Sequence, residues 1–112
     1  MYFHTIDIAH PPLTSEIAEE VLDDEVIHVR FTQKWRVLKV IHGHGINDRP
    51  AVLKQVVYNW AYRNRKHLKA VIPGEEYNIV DTRTQEMRKQ CGQVADVDLG
   101  ASNPGMTLIW IK

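Results

Sequence analysis

The chain holds one cysteine, Cys91. A lone thiol makes no internal disulfide and no Cys-x-x-Cys metal knuckle, so a disulfide-stapled fold is excluded and a reducing cytoplasm is the expected setting. No apolar run approaches the roughly 18 residues that cross a bilayer, so no membrane partner is expected. The opening Met1-Tyr2-Phe3-His4 has neither a basic segment nor an apolar one, so no signal peptide is expected. Internal repeats, low-complexity runs and linkers are absent. With 112 residues there is enough chain for one domain and too little for two, so a single domain over residues 1–112 is expected.

Positive charge is missing from the first quarter. Residues 1–29 carry seven carboxylates and no lysine or arginine, whereas residues 30–69 carry ten lysines and arginines against Asp48. The formal charge of the whole chain is zero, so the balance conceals a basic middle third. Such asymmetry suits a face that meets a polyanion. A solvated helix surface facing the acidic first helix is the plainer alternative.

What is present alternates between strand and helix patterns. Residues 2–9 read as a strand, ended by Pro11 and Pro12, which donate nothing to a sheet. Thr14 or Ser15 can cap a helix with Glu16, Glu19 and Glu20 in its first turns. Residues 25–31 are β-branched but are expected to continue that helix, because residues 35–41 supply a clearer strand. Pro50 suits the first turn of a second helix, in which Val52, Leu53, Val56, Val57, Trp60 and Ala61 recur at helical spacing. Residues 68–72 form a third strand, and residues 82–90 a short helix with Asp81 as cap and Gly92 as stop. Residues 106–111 form a last strand. The expected fold is α/β: a compact two-layer βαβαβ-type sandwich with a mixed, mostly parallel sheet.

The most telling stretch is Val37-Leu38-Lys39-Val40-Ile41 followed by His42-Gly43-His44-Gly45. A buried strand runs into a glycine-spaced pair of histidines shortly before a helix. Such a corner offers backbone N–H groups to an anion, and its glycines let a ligand approach. The imidazoles add donors or an acid and a base near neutral pH. A tight surface turn with geometric glycines is the alternative. Two histidines spaced in this way can also hold a metal, with Asp7 and His10 completing the set.

These residues resemble the Smr domain, the small MutS-related module. Ile41-His42-Gly43-His44-Gly45 is similar to that family's His-Gly-x-Gly loop. Leu53-Lys54, Val57 and Trp60 are similar to its following helix, Asn103-Pro104-Gly105-Met106-Thr107-Leu108 to its closing turn and strand, and Ile6-Asp7-Ile8 to its opening element. The family's first histidine falls at Ala9 here, with His10 one place later, and His44 stands where a lysine is common. Residues 75–97 exceed the usual connection, as an insertion would.

The resemblance implies a nucleic-acid-binding α/β domain that nicks DNA or cleaves RNA. It points to Asp7, His10 and His42 as catalytic, and to Gly43, His44, Gly45, Arg49, Lys54 and Arg63 as nucleic-acid-binding. RNA cleavage through the 2′-hydroxyl needs no metal; DNA cleavage needs water and a cation such as Mg²⁺ or Mn²⁺. A binding module without catalysis and a protein-interaction domain are the alternatives.

Overall fold

The computed structural model describes residues 2–44 and 52–112. Along the chain run β1 (Phe3–Asp7), α1 (Ser15–Thr32), β2 (Val37–Ile41), α2 (Val52–Arg63), β3 (Leu68–Pro73), α3 (Thr82–Cys91) and β4 (Met106–Ile111). Thr14 caps α1 by accepting from the Ile17 amide, and Gln33 ends it in the left-handed conformation at φ 55°. Ala18, Leu22, Val26 and Val29 form its buried stripe. The stripe continues through the β-branched residues 25–31, because helical spacing to the core outweighs their strand preference.

The four strands lie in the order β1-β2-β4-β3. β1 and β2 pair in parallel, whereas β4 pairs antiparallel with β2 and with β3. A mostly parallel sheet is thus not what forms. The helical crossovers do turn β1, β2 and β3 the same way. β4 then inserts between β2 and β3 in the opposite direction, so two of the three ladders are antiparallel. Its sequence, Met106-Thr107-Leu108-Ile109-Trp110-Ile111, is buried throughout, as suits a strand covered on both faces.

Two layers also give way to helices on both faces. Successive residues of a strand point to opposite sides. Leu38 and Val40 join α1 and α2 in a cluster that includes Leu22, Val26, Val57, Trp60 and Ile109. Val37 and Ile41 join the other cluster, with Tyr77, Met87, Leu108 and Trp110. The segment expected as an insertion supplies that second cover: Met87 belongs to α3, and Val94 and Leu99 pack behind it. Asp81 caps α3 through the Thr84 amide at 2.9 Å, as its position suggests.

Gly74, just past β3, has no room for a side chain. A Cβ there would lie 2.0 Å from the Asn103 carbonyl oxygen and 2.7 Å from that of Met106. Both obstacles are backbone, so relief requires moving the turn before β4. Gly74→Ala is expected to cost about 3 kcal/mol, read as a lower urea midpoint at unchanged slope.

Candidate functional site

β1 and β2 end, and β4 begins, at one corner of the sheet. Backbone bonds join the three segments there: the Ile8 amide donates to Ile41 (2.9 Å), and the amides of His42 and Gly43 both donate to the Gly105 carbonyl (2.9 and 3.0 Å). Asn103 Oδ1 accepts from the Gly105 amide at 2.9 Å and steadies that turn. Gly43 adopts φ 73°, a conformation that favours glycine, and a Cβ built on it would meet the Ala9 methyl at 3.8 Å. The amides of His42 and Gly43 are thus committed to Gly105, and the helix start expected to offer N–H groups to an anion lies outside the described residues. The glycine leaves a bare edge beside Ala9 instead.

Asp7 ends β1 and organises the turn after it. Its Oδ1 accepts from the amides of Ala9 (2.8 Å) and His10 (3.1 Å), and its carboxylate receives His10 Nδ1 at 3.0 Å. The Ala9 amide, then the His10 ring, hold its carboxyl below the usual range. With Nδ1 bound to the carboxylate, His10 presents Nε2 outward; its side chain is 71 % exposed. The one-residue displacement relative to Ala9 therefore leaves an imidazole at the corner, tethered to Asp7.

His42 behaves differently from what its motif suggests. It is 3 % exposed, with Nδ1 2.6 Å from the Gly43 carbonyl and Nε2 2.8 Å from Thr107 Oγ1. A carbonyl only accepts, so Nδ1 carries the proton and Nε2 accepts from the threonine hydroxyl. Both ring nitrogens are occupied within the protein, so His42 has no lone pair for a phosphate proton or a metal. It braces the loop.

Burial pushes the His42 imidazole below its ordinary value, outweighing the hydrogen bond to Gly43 that pulls the other way. The folded state favours the neutral ring, whereas the unfolded chain takes up a proton near pH 6.5. Stability is therefore full above about pH 6.5 and declines as pH falls toward the folded value. Urea midpoints at pH 7.5, 6 and 5 should show this loss, and His42→Gln should flatten it.

His44 is exposed and lies against Gly105, where a Cβ would be 3.4 Å from its ring. The corner thus brings together Asp7, His10, Gly43 and His44 around the glycine edge. Gly45, Arg49 and the Pro50 expected to open α2 lie outside the described residues. Among the described residues, no third metal donor comes within reach of Asp7 and His10.

Two of the cations expected to meet nucleic acid are paired within the protein. Lys54 pairs with Glu75 at 2.8 Å, and Arg63 pairs with Glu19. Lys39 is buried between Asp96 and Asp98, each at 2.9 Å, and Tyr77 donates to Asp96 at 2.8 Å. Its signal was a lone lysine inside an apolar strand, which a count of surface charge overlooks. Other cations gather at the opposite end of the sheet. There Arg30, Arg36 and Lys112, with Gln33 and Trp35, line a cavity of about 290 Å³, and the Ile111 amide donates to Arg36. None of the three cations forms an ion pair among the described residues. No described helix is long and apolar enough to cross a membrane.

Comparison with known proteins matches residues 12–78 to the family described as Smr domain. The fold is similar to the crystal structure of the Smr domain of Thermus thermophilus MutS2, with a TM-score of 0.58 at 16% identity. The similarity covers 100% of this chain and 99% of that one. Comparison with curated proteins finds no match.

Proposed function

This chain belongs to the Smr domain family, and from that premise we propose that it binds nucleic acid and cleaves RNA at the corner formed by Asp7, His10, Gly43 and His44. The observation that carries the proposal is the Asp7–His10 pair, 3.0 Å apart and open to solvent beside the glycine edge. Asp7 fixes the ring so that Nε2 faces a bound strand, the arrangement a general base requires. His44, next to Gly43 in the chain and against Gly105, supplies a second exposed imidazole.

In the proposed step, His10 Nε2 takes the proton of a ribose 2′-hydroxyl, and the 2′-oxygen attacks the adjacent phosphorus. The bond from phosphorus to the 5′-oxygen breaks, and His44 in its imidazolium form protonates that leaving oxygen. A cyclic 2′,3′-phosphate and a free 5′-hydroxyl result. DNA has no 2′-hydroxyl and is bound without this cleavage. Gly43 and Ala9 leave space for the sugar–phosphate, and His42 holds their loop in place through Thr107.

Binding without cleavage is the second reading, and Ala9 favours it. The position facing Gly43 carries a methyl group where the family has an imidazole.

The strand is proposed to run from this corner toward Arg30, Arg36 and Lys112. A five-residue strand spans about 17 Å, a distance that a few nucleotides of an extended single strand cover. Affinity for a single-stranded RNA should fall linearly with log salt, by about 0.7 per phosphate contacted. Arg30→Ala and Arg36→Ala should each flatten that slope by about one contact. Lys54→Ala and Arg63→Ala should change it less, because Glu75 and Glu19 already hold those cations. A slope indifferent to Arg30 and Arg36 would remove this path.

A further inference from the structure

Away from the corner, one cluster of side chains serves no purpose in the proposed function. His4 lies on β1, and Glu25 and His28 lie one turn apart on α1. His4 Nε2 is 2.6 Å from Glu25 Oε2, and His28 Nδ1 is 3.4 Å from the same oxygen. One ligand atom from each residue falls within 4.8 Å of the other two.

We propose that His4, Glu25 and His28 form a binding site for a divalent transition metal of the zinc class, with a coordination position left open to solvent. Two imidazole nitrogens and one carboxylate oxygen are a donor set that such ions accept, whereas Mg²⁺ and Ca²⁺ prefer oxygen throughout. In a tetrahedral site with bonds of about 2.1 Å, neighbouring donors sit about 3.4 Å apart. The His28–Glu25 separation is already that distance. The His4–Glu25 pair needs to open by less than 1 Å, exchanging a hydrogen bond for two metal bonds.

The surroundings hold the imidazoles in place. Trp35 stacks on His4 with centroids 4.1 Å apart at 15°, and its ring meets His28 edge-on at 5.2 Å. The indole thus fixes two ligands that come from different elements. His4 and Glu25 are largely covered, while His28 is half exposed and faces the entry side. A bound ion would tie β1 to α1 independently of the ladder between β1 and β2. Metal and protons compete for the same donor atoms, so affinity should weaken in acid.

The test is a titration of the intact chain with Co²⁺ after treatment with EDTA, followed by visible absorption, then displacement with Zn²⁺. One equivalent of Co²⁺ is expected to give a saturable tetrahedral spectrum that Zn²⁺ abolishes. His28→Ala removes a half-exposed ligand without opening the core, and is expected to weaken binding at least tenfold. Glu25→Gln should do the same, whereas His28→Cys, which supplies another ligand, should restore it. His44→Ala should bind as the parent does. Absence of saturable binding, binding unchanged in His28→Ala and Glu25→Gln, or loss confined to His44→Ala would each overturn the proposal. The corner is untouched in His28→Ala, so RNA cleavage by that variant reports on the proposed chemistry separately.

Discussion

His10→Ala is expected to lower the rate of RNA cleavage by about 10²–10⁴-fold, the usual contribution of a positioned acid or base. The side chain is 71 % exposed and, among the described residues, its ring hydrogen-bonds only to Asp7, so the fold and its melting temperature should hold. Affinity for RNA should change little, because the imidazole acts in the transition state and not in holding the strand. Asp7→Asn separates orientation from chemistry. An asparagine oxygen still accepts from the Ala9 and His10 amides, but it neither balances nor orients the ring as a carboxylate does. Cleavage should fall by a smaller factor than in His10→Ala, with KM nearly unchanged. Asp7 is held below the ordinary carboxylate range, so it stays ionised throughout the pH span where imidazoles titrate. His42→Ala should behave in the opposite manner, losing stability together with activity, because its ring braces the loop from inside.

Lys39→Ala is expected to cost about 3–5 kcal/mol, the range for removing one partner of a buried ion pair. Lys39 sits on β2 under the 92–100 segment, and its ammonium makes three bonds of 2.9 Å to Asp96 and Asp98. The Asp96 side chain is 6 % exposed, so without Lys39 its charge is stranded under the second cover. A domain of this size has roughly 5–15 kcal/mol in total, so the loss is a large fraction. The double variant Lys39→Met with Asp96→Asn should recover part of it, since Asn still accepts from Tyr77 and the one carboxylate that loses its partner, Asp98, is the more exposed of the two. Burial works to raise the Asp96 carboxyl, but Lys39, the Asp98 amide and Tyr77 together hold it below its ordinary value. Its stabilisation is therefore present above about pH 3.8 and is lost as pH falls through the folded value. Urea unfolding at pH 7 and pH 3 should show the gap between parent and Lys39→Ala narrowing in acid. Loss of the His42 contribution begins nearer pH 6.5, so the two transitions are separable.

Most elements were legible in the sequence because local signals agreed. The caps at Thr14 and Asp81, the prolines after β1 and the helical stripe of α1 each lead to the observed boundaries. Sheet polarity was not legible. The direction and place of β4 follow from how residues 92–105 cross the second face, which strand–helix alternation does not encode. The second cover is likewise set by tertiary contacts between Lys39, Tyr77 and Asp96.

The site was legible in part. The glycine loop and Asp7 do meet where the motif suggests. The roles of the histidines were not apparent from residue type, although strand alternation holds the clue. His42 continues the Leu38–Val40 face, which packs under α1 and α2, so its ring points inward. Thr107 lies on the same face, opposite Val40 in the ladder, and is the partner awaiting it. His10, past the end of β1, escapes that alternation. The basic middle third was legible only in part: charge counted along the chain does not reveal that Glu19, Glu75 and Asp96 meet Arg63, Lys54 and Lys39, whereas Arg30 and Arg36 form no ion pair among the described residues.

The most direct test of the proposed corner is an amide NMR titration of the ¹⁵N-labelled chain with a single-stranded RNA of about five nucleotides. The predicted result is a set of shifts centred on Ala9, His10, Gly43, His44 and Gly105, with weaker shifts toward Arg30 and Arg36. Saturating shifts confined to other surfaces, or none at millimolar RNA, would contradict it.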